Sequence, residues 1–152
     1  ITLLPALLLG SILLSCGGDC CGETPLISTG RWVWEGEPES WTRPFDELQF
    51  QRGELNLFSP DSFQLLWSYS SKNPGKTCSG EEQRGRWDGG ELFRLLLVTL
   101  EEREQCTPPQ EWREIYLRET VRLKQVTEQQ MLLCFAECDD EINWLTFQRS
   151  AP

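Results

Sequence analysis

From Gly30 onward, apolar and polar residues alternate with a period of two rather than 3.6, the pattern of strands buried on one face. Trp32 and Trp34 share one side, with Val33 opposite. Leu48 and Phe50 alternate with Gln49 and Gln51. Arg52-Gly53 punctuates that run, and Leu55 and Leu57 follow. Ser59-Pro60-Asp61 predicts a turn. After it, Phe63, Leu65, Trp67 and Tyr69 face one way, and Gln64, Ser68 and Ser70 the other. Ser71 to Gly80, with Asn73-Pro74-Gly75, reads as a loop. Gln83–Trp87, the tight turn Asp88-Gly89-Gly90 and Glu91–Leu100 predict a hairpin. Leu92–Leu100 is apolar on both faces except at Arg94 and Thr99, as a central strand should be. The charged, then Pro-containing stretch Glu101–Gln110 ends that pair as a second long loop. Short strands are expected at Trp112–Leu117 (where a helix start would also fit), Val121–Val126, Met131–Phe135 and Ile142–Arg149. The sum is an all-β chain, an antiparallel up-and-down meander most economically closed as a small barrel.

Ahead of this pattern the text changes. Ile1–Leu14 is an uncharged apolar run broken by Pro5 and Gly10. It has the length of a secretory h-region and falls short of the roughly 20 residues of a membrane span. With no Met and no basic segment before it, it reads as a signal peptide truncated at its start. Leu13-Leu14-Ser15-Cys16 resembles the lipobox of bacterial lipoproteins. The resemblance implies cleavage before Cys16, a lipid on its sulfur, and anchorage in the bacterial cell envelope, facing the periplasm or cell surface. Gly17, where that family places Asp for inner-membrane retention, leans the expectation towards the outer membrane. Gly17–Thr29 is small and polar, as a flexible tether is. The expected organisation is therefore a signal peptide over 1–15, a lipid-anchored tether over 16–29 and one β domain over 30–149.

Seven cysteines make an odd set, and lipidation of Cys16 leaves six to pair in an oxidising compartment. Cys78 and Cys106 flank the expected hairpin, so they are the favoured pair. Cys134 and Cys138 straddle a turn and could bridge directly, or either could take Cys20 or Cys21. A four-thiolate zinc site is the lesser alternative, so no metal and no cofactor are expected.

Within the β domain, Gly30-Arg31-Trp32 resembles the Gly-x-Trp that opens the first strand of lipocalins and their relatives. Arg149 stands where that superfamily places a basic residue across this Trp. The resemblance implies a barrel-closing pair, Trp32 with Arg149, held by a cation–π contact. Gly85-Arg86-Trp87-Asp88-Gly89-Gly90 is similar to the phrasing of bacterial lipocalin-like lipoproteins. The Thr-Asp-Tyr phrase of lipocalins is not visible, which favours a looser, calycin-like barrel.

Composition narrows the function. Net charge is −10 with both halves acidic, which predicts no basic face and excludes a nucleic-acid partner. No histidine is present, so Ser-His-Asp and Cys-His catalysis are excluded. Paired carboxylates such as Glu81-Glu82 and Asp139-Asp140-Glu141 fall in expected turns, where charges are ordinarily solvated; no catalytic residue is assigned. Asp139–Glu141 also lacks the ligand spacing of an EF-hand loop. Two non-catalytic functions remain. In the first, Trp34, Trp67, Phe93 and Phe135 line a cavity for a small lipophilic ligand. In the second, the aromatic residues fill the interior, and loops at Ser70–Gly80 and Glu101–Gln110, stapled by Cys78–Cys106, meet an envelope protein partner.

Overall fold

The computed structural model describes residues 27–36, 41–42, 48–71, 77–89, 93–124 and 126–151. The expected signal peptide, Cys16, Cys20, Cys21 and most of the expected tether lie outside the described residues. The elements in chain order are β1 (Gly30–Glu35), β2 (Trp41–Thr42), β3 (Leu48–Phe58), β4 (Ser62–Ser71), β5 (Cys78–Asp88), β6 (Arg94–Cys106), β7 (Arg113–Lys124), β8 (Gln130–Cys134) and β9 (Trp144–Ser150). A 3₁₀ turn, Glu141–Asn143, precedes β9.

The strands form an antiparallel meander from β3 through β9. β1 pairs with β9 on one side and β3 on the other, so eight strands close into a ring. The short β2 pairs with β3 beside it. The pairing gives the ring two ends. The floor carries Gly30, the β3–β4 turn, Asp88, Arg94, Lys124 and Ser150. The rim carries Glu35, Cys78, Cys106 and Arg113, while the shorter β8 and β9 end lower, with Cys134 and Trp144 in line with Arg122 across the ladders.

The alternation seen along the chain becomes inside and outside. Trp32, Leu55, Leu57, Phe63, Leu65, Leu95, Leu97, Val121, Leu123, Met131, Leu133, Leu145 and Phe147 are buried in one continuous core. Several expected boundaries move. Arg52-Gly53 does not divide β3: the ladder shifts between Phe50 and Arg52 and continues. Gly53 lies beneath the Trp67 indole, where a Cβ would sit 2.6 Å from the ring. The glycine there answers a close approach, not a turn.

Glu101–Gln110 is not the loop expected, because β6 runs on to Cys106 and β5 begins at Cys78. The two segments expected at 112–117 and 121–126 are one strand, β7. In these arms three charged pairs of opposite sign face each other across the ladder, beside the like-charged pairs Glu81–Glu104 and Glu101–Glu114. Glu82 opposes Arg103, Arg84 opposes Glu101, and Glu102 opposes Arg113. Each is an ion pair, with N–O distances of 2.8 Å for Arg103–Glu82 and 2.7 Å for Arg84–Glu101. Opposite charges in register stabilise a pair of strands, as apolar neighbours do.

Of the stretch expected as a tether, residues 27–29 are described. Ile27 is buried, its side chain lying against Gly89. Ser28 and Thr29 bond to residues of the ring, described next.

Candidate functional site

At the floor, Trp32 is fully buried and its indole Nε1 donates to the Ser28 carbonyl at 3.2 Å. The Arg149 guanidinium lies 5.7 Å from the Trp32 ring centroid. Arg149 also donates to Ser28 Oγ at 3.0 Å and to the Thr29 carbonyl at 2.9 Å. Gly30 takes a φ of 141°, and a Cβ there would meet this guanidinium at 3.3 Å. Glycine alone adopts that backbone freely. The pair expected from Gly-x-Trp is thus brought together, with the incoming chain bonded over it.

Higher in the interior, Trp67 is the hub of an aromatic cluster. Its ring centroid lies 6.1 Å from Trp34, 5.5 Å from Trp41, 5.3 Å from Phe50, 5.1 Å from Phe135 and 6.4 Å from Phe147. Most of these contacts are edge-to-face, which aromatic quadrupoles favour. Three of the four residues expected to line a cavity, Trp34, Trp67 and Phe135, therefore pack on one another or on shared neighbours. The fourth, Phe93, is not among them. It is the turn residue ahead of β6, at φ 56°, and is 52% exposed on the outer surface. The expected strand start at Glu91 would have alternated Phe93 inward; β6 begins only at Arg94. Phe50, on the apolar side of its strand as expected, is part of this cluster, and so is Trp41, which the sequence reading left unassigned.

One disulfide, Cys78–Cys106, staples the rim, and a second, Cys134–Cys138, staples the β8–β9 connection. Glu104 lies beside the first, but both sulfurs are bonded to each other, so neither is a thiolate ligand for a metal. Between the staples, buried Asn143 accepts from Trp41 Nε1 at 3.0 Å and donates to the Glu137 carbonyl at 2.9 Å. Asp140 accepts from the Ile142 amide at 3.2 Å, capping the 3₁₀ turn. Glu82 is 4% exposed and bonded to Arg103 and Gln64. Among the carboxylates weighed for chemistry, Asp140 and Glu82 thus have structural partners.

A polar network crosses the outside of β1, β3 and β4. Arg31 donates to both oxygens of Glu54, at 2.8 and 3.1 Å, and Arg52 and Asn56 donate to the same carboxylate. The Arg31 hydrogen bond is the largest influence on Glu54 and holds its carboxyl below the usual range, against an opposing effect of burial. Further round, Trp112 stacks against Arg84 at 3.6 Å and Arg103 at 4.4 Å.

The expectation of no basic face does not survive. Three rows cross the outer side of β5, β6 and β7: Arg86–Val98–Arg118, Asp88–Leu96–Thr120, and Arg94 opposite Arg122. Lys124 follows on β7, its Nζ 4.1 Å from the Trp144 ring centroid. Five of the 14 Lys and Arg residues thus share one side. They are dispersed in the chain, so net charge conceals them; the strand pattern was the signal that could have gathered them.

The chain matches no family model, no curated protein and no solved structure.

Proposed function

We propose that the chain is a lipid-anchored, non-catalytic protein of the bacterial cell envelope. Its ring is a filled scaffold, and its stapled rim is the surface offered to another envelope protein. The observation that carries this reading is the Trp67 cluster, in which five rings meet one indole where a ligand cavity would have to open. A small barrel either holds one ligand or fills with side chains, and these distances favour filling. The disulfide across the β5–β6 arms and the second one in the β8–β9 connection favour connections of fixed shape. The leader pattern and Cys16 support the anchor, and Gly17 supports the outer membrane. The floor resembles that of lipocalins through Gly30, Trp32 and Arg149, while the interior departs from ligand carriage.

Three measurements test the proposal. Mass spectrometry of the chain from bacterial membranes is expected to find acyl chains on a peptide beginning at Cys16; an unmodified Cys16 overturns the anchor. A native mass spectrum of the chain beyond Cys16, exported to a periplasm, is expected to give the bare mass. A discrete adduct released on collisional heating would restore the small lipophilic ligand. Crosslinking in cells is expected to capture a protein partner through Thr77 or Gln105, and capture unaffected by changes at both sites counts against the rim.

A further inference from the structure

We infer that two copies of the chain pair edge to edge through β7, antiparallel and two-fold symmetric about Tyr116. The inference goes beyond the envelope reading and does not rest on it.

β7 is 12 residues long, yet β8 pairs only with Arg122, Leu123 and Lys124 at its end. Among the described residues, the edge from Arg113 to Val121 has no strand beside it. The Leu123 N–H donates to the Phe93 carbonyl on the β6 side. Backbone groups alternate in direction along a strand, so those of Arg118 and Thr120 point to the open side. Such an edge is a template for another strand, and natural sheets shorten, bend or cover theirs. This one also carries apolar surface: Tyr116 is 75% exposed and Leu117 44%.

The residues along the edge fit a second copy of themselves. A two-fold axis perpendicular to the sheet sets residue i opposite j and j opposite i, and keeps each face with its like. With the axis at Tyr116, Glu114 meets Arg118 of the second copy, and Arg118 meets its Glu114. Ile115 meets Leu117, and Tyr116 meets itself. Opposite charges and apolar residues directly across a ladder both stabilise it. Among the described residues, no ion pair within the chain engages Glu114 or Arg118. Arg113 and Glu119 also fall opposite, with opposite signs. Both are already engaged within the chain, Arg113 by Glu102, so they add register only. Moving the axis by one residue removes the match. About Leu117, Glu114 meets Thr120 and Ile115 meets Glu119; about Ile115, Arg113 meets Leu117 and Glu114 meets Tyr116. Residues 113–119 hold two acids and two bases, whereas the chain carries −10. Copies that repel elsewhere therefore meet here without net repulsion. One added pair of strands buries less than the roughly 1,200 Å² of a standard interface, so the dimer is weak and reversible.

The test is sedimentation velocity on the full chain carrying Cys16→Ser, which removes acylation. Four samples are compared: no further change, Glu114→Arg, Arg118→Glu, and an equimolar mixture of those two. The first is expected to dimerise with a Kd on the order of 10 µM. Each single variant sets like charges opposite at two positions and is expected to weaken pairing at least ten-fold. The mixture restores opposite charges at both positions and is expected to return the Kd to within about three-fold, which also shows that both variants are folded. In a second readout, Tyr116→Cys is expected to give a 116–116 linked peptide with a short bis-maleimide, because only the residue on the axis meets its own copy. Thr120→Cys is expected to give no 120–120 link, since those positions lie about 27 Å apart in the pair. A chain that stays monomeric to about 1 mM overturns the inference and leaves the edge to another protein's strand or to a segment outside the described residues. Single variants that weaken while their mixture does not recover overturn it as well. Where the apolar leader associates all four samples alike, the link decides, and its absence places the contact elsewhere. The anchor and the rim stand or fall separately, by acylation of Cys16 and by capture at Thr77 or Gln105.

Discussion

Two parts of the ring solve the same problem by different means. The wall of β1, β3, β4 and β9 turns Trp34, Phe50, Trp67 and Phe147 inward and is held by ring contacts. The arms of β5, β6 and β7 near the rim have few apolar residues and are held by charges in register, by Trp112 in contact with two guanidinium groups, and by a disulfide. The first kind of order comes from excluding water and is not weakened by ionic screening. The second works in partial contact with water, where each ion pair is weak alone and only a series of them holds a strand.

The contrast can be broken from either side. Trp67→Ala removes the indole shared by five rings and is expected to cost about 3–5 kcal/mol in chemical denaturation; a cost below about 1 kcal/mol would show that the cluster is not a packed unit. Cys78→Ser with Cys106→Ser opens a closure across 28 residues and is expected to cost about 3 kcal/mol. That loss should appear as earlier amide exchange in the arms, with the aromatic wall unaffected. Trp112→Ala leaves the ion pairs and removes only the stacking, so about 0.5–1 kcal/mol is expected, and a loss as large as that of Trp67→Ala would erase the distinction.

The smallest effect belongs to Glu54. Its carboxyl titrates lower in the folded chain than in the unfolded one, so the folded state binds fewer protons through that interval. The stabilisation is complete above the ordinary carboxylate range and is lost as pH falls through the depressed value. Half-exposed Arg31 and solvent screening keep it under about 1 kcal/mol. Glu54→Gln is expected to flatten the acid limb of a stability–pH curve; an unchanged limb would exclude Glu54 as its source.

The aromatic wall was legible in the sequence because its signal is local. Phe63, Leu65, Trp67 and Tyr69 repeat every second residue, and nothing beyond that strand is needed to read them. The arms were not legible. Glu101-Glu102-Arg103-Glu104 looks like a solvated loop until Arg84, Glu82 and Arg113 are placed opposite, and those partners come from other strands. Cys78–Cys106 was readable from the hairpin between them, yet the same spacing did not reveal how far β5 and β6 extend. The basic side was hidden for the same reason: Arg86, Arg94, Arg118 and Arg122 are neighbours only after the ladders form. Phe93 was misplaced by a strand start set too early, which a single left-handed residue was enough to change.

The joins of the ring are unequal in length. β5 and β6 are paired from Cys78–Cys106 to Asp88–Leu96, whereas β7 meets β8 only through Arg122, Leu123 and Lys124. Among the described residues, Arg113–Val121 has no strand on its β8 side. β1 meets β9 through three pairs as well, Arg31–Ser150, Trp32–Arg149 and Val33–Gln148, but that join is reinforced by Arg149 on Trp32, Ser28 and Thr29, so β7–β8 is where the cylinder first becomes an open, curled sheet. Such an opening would lay bare Leu133 and Phe147 while the long hairpins stay zipped. The molecule thus has a built-in order of failure, set by three residues of ladder and not by the depth of its core.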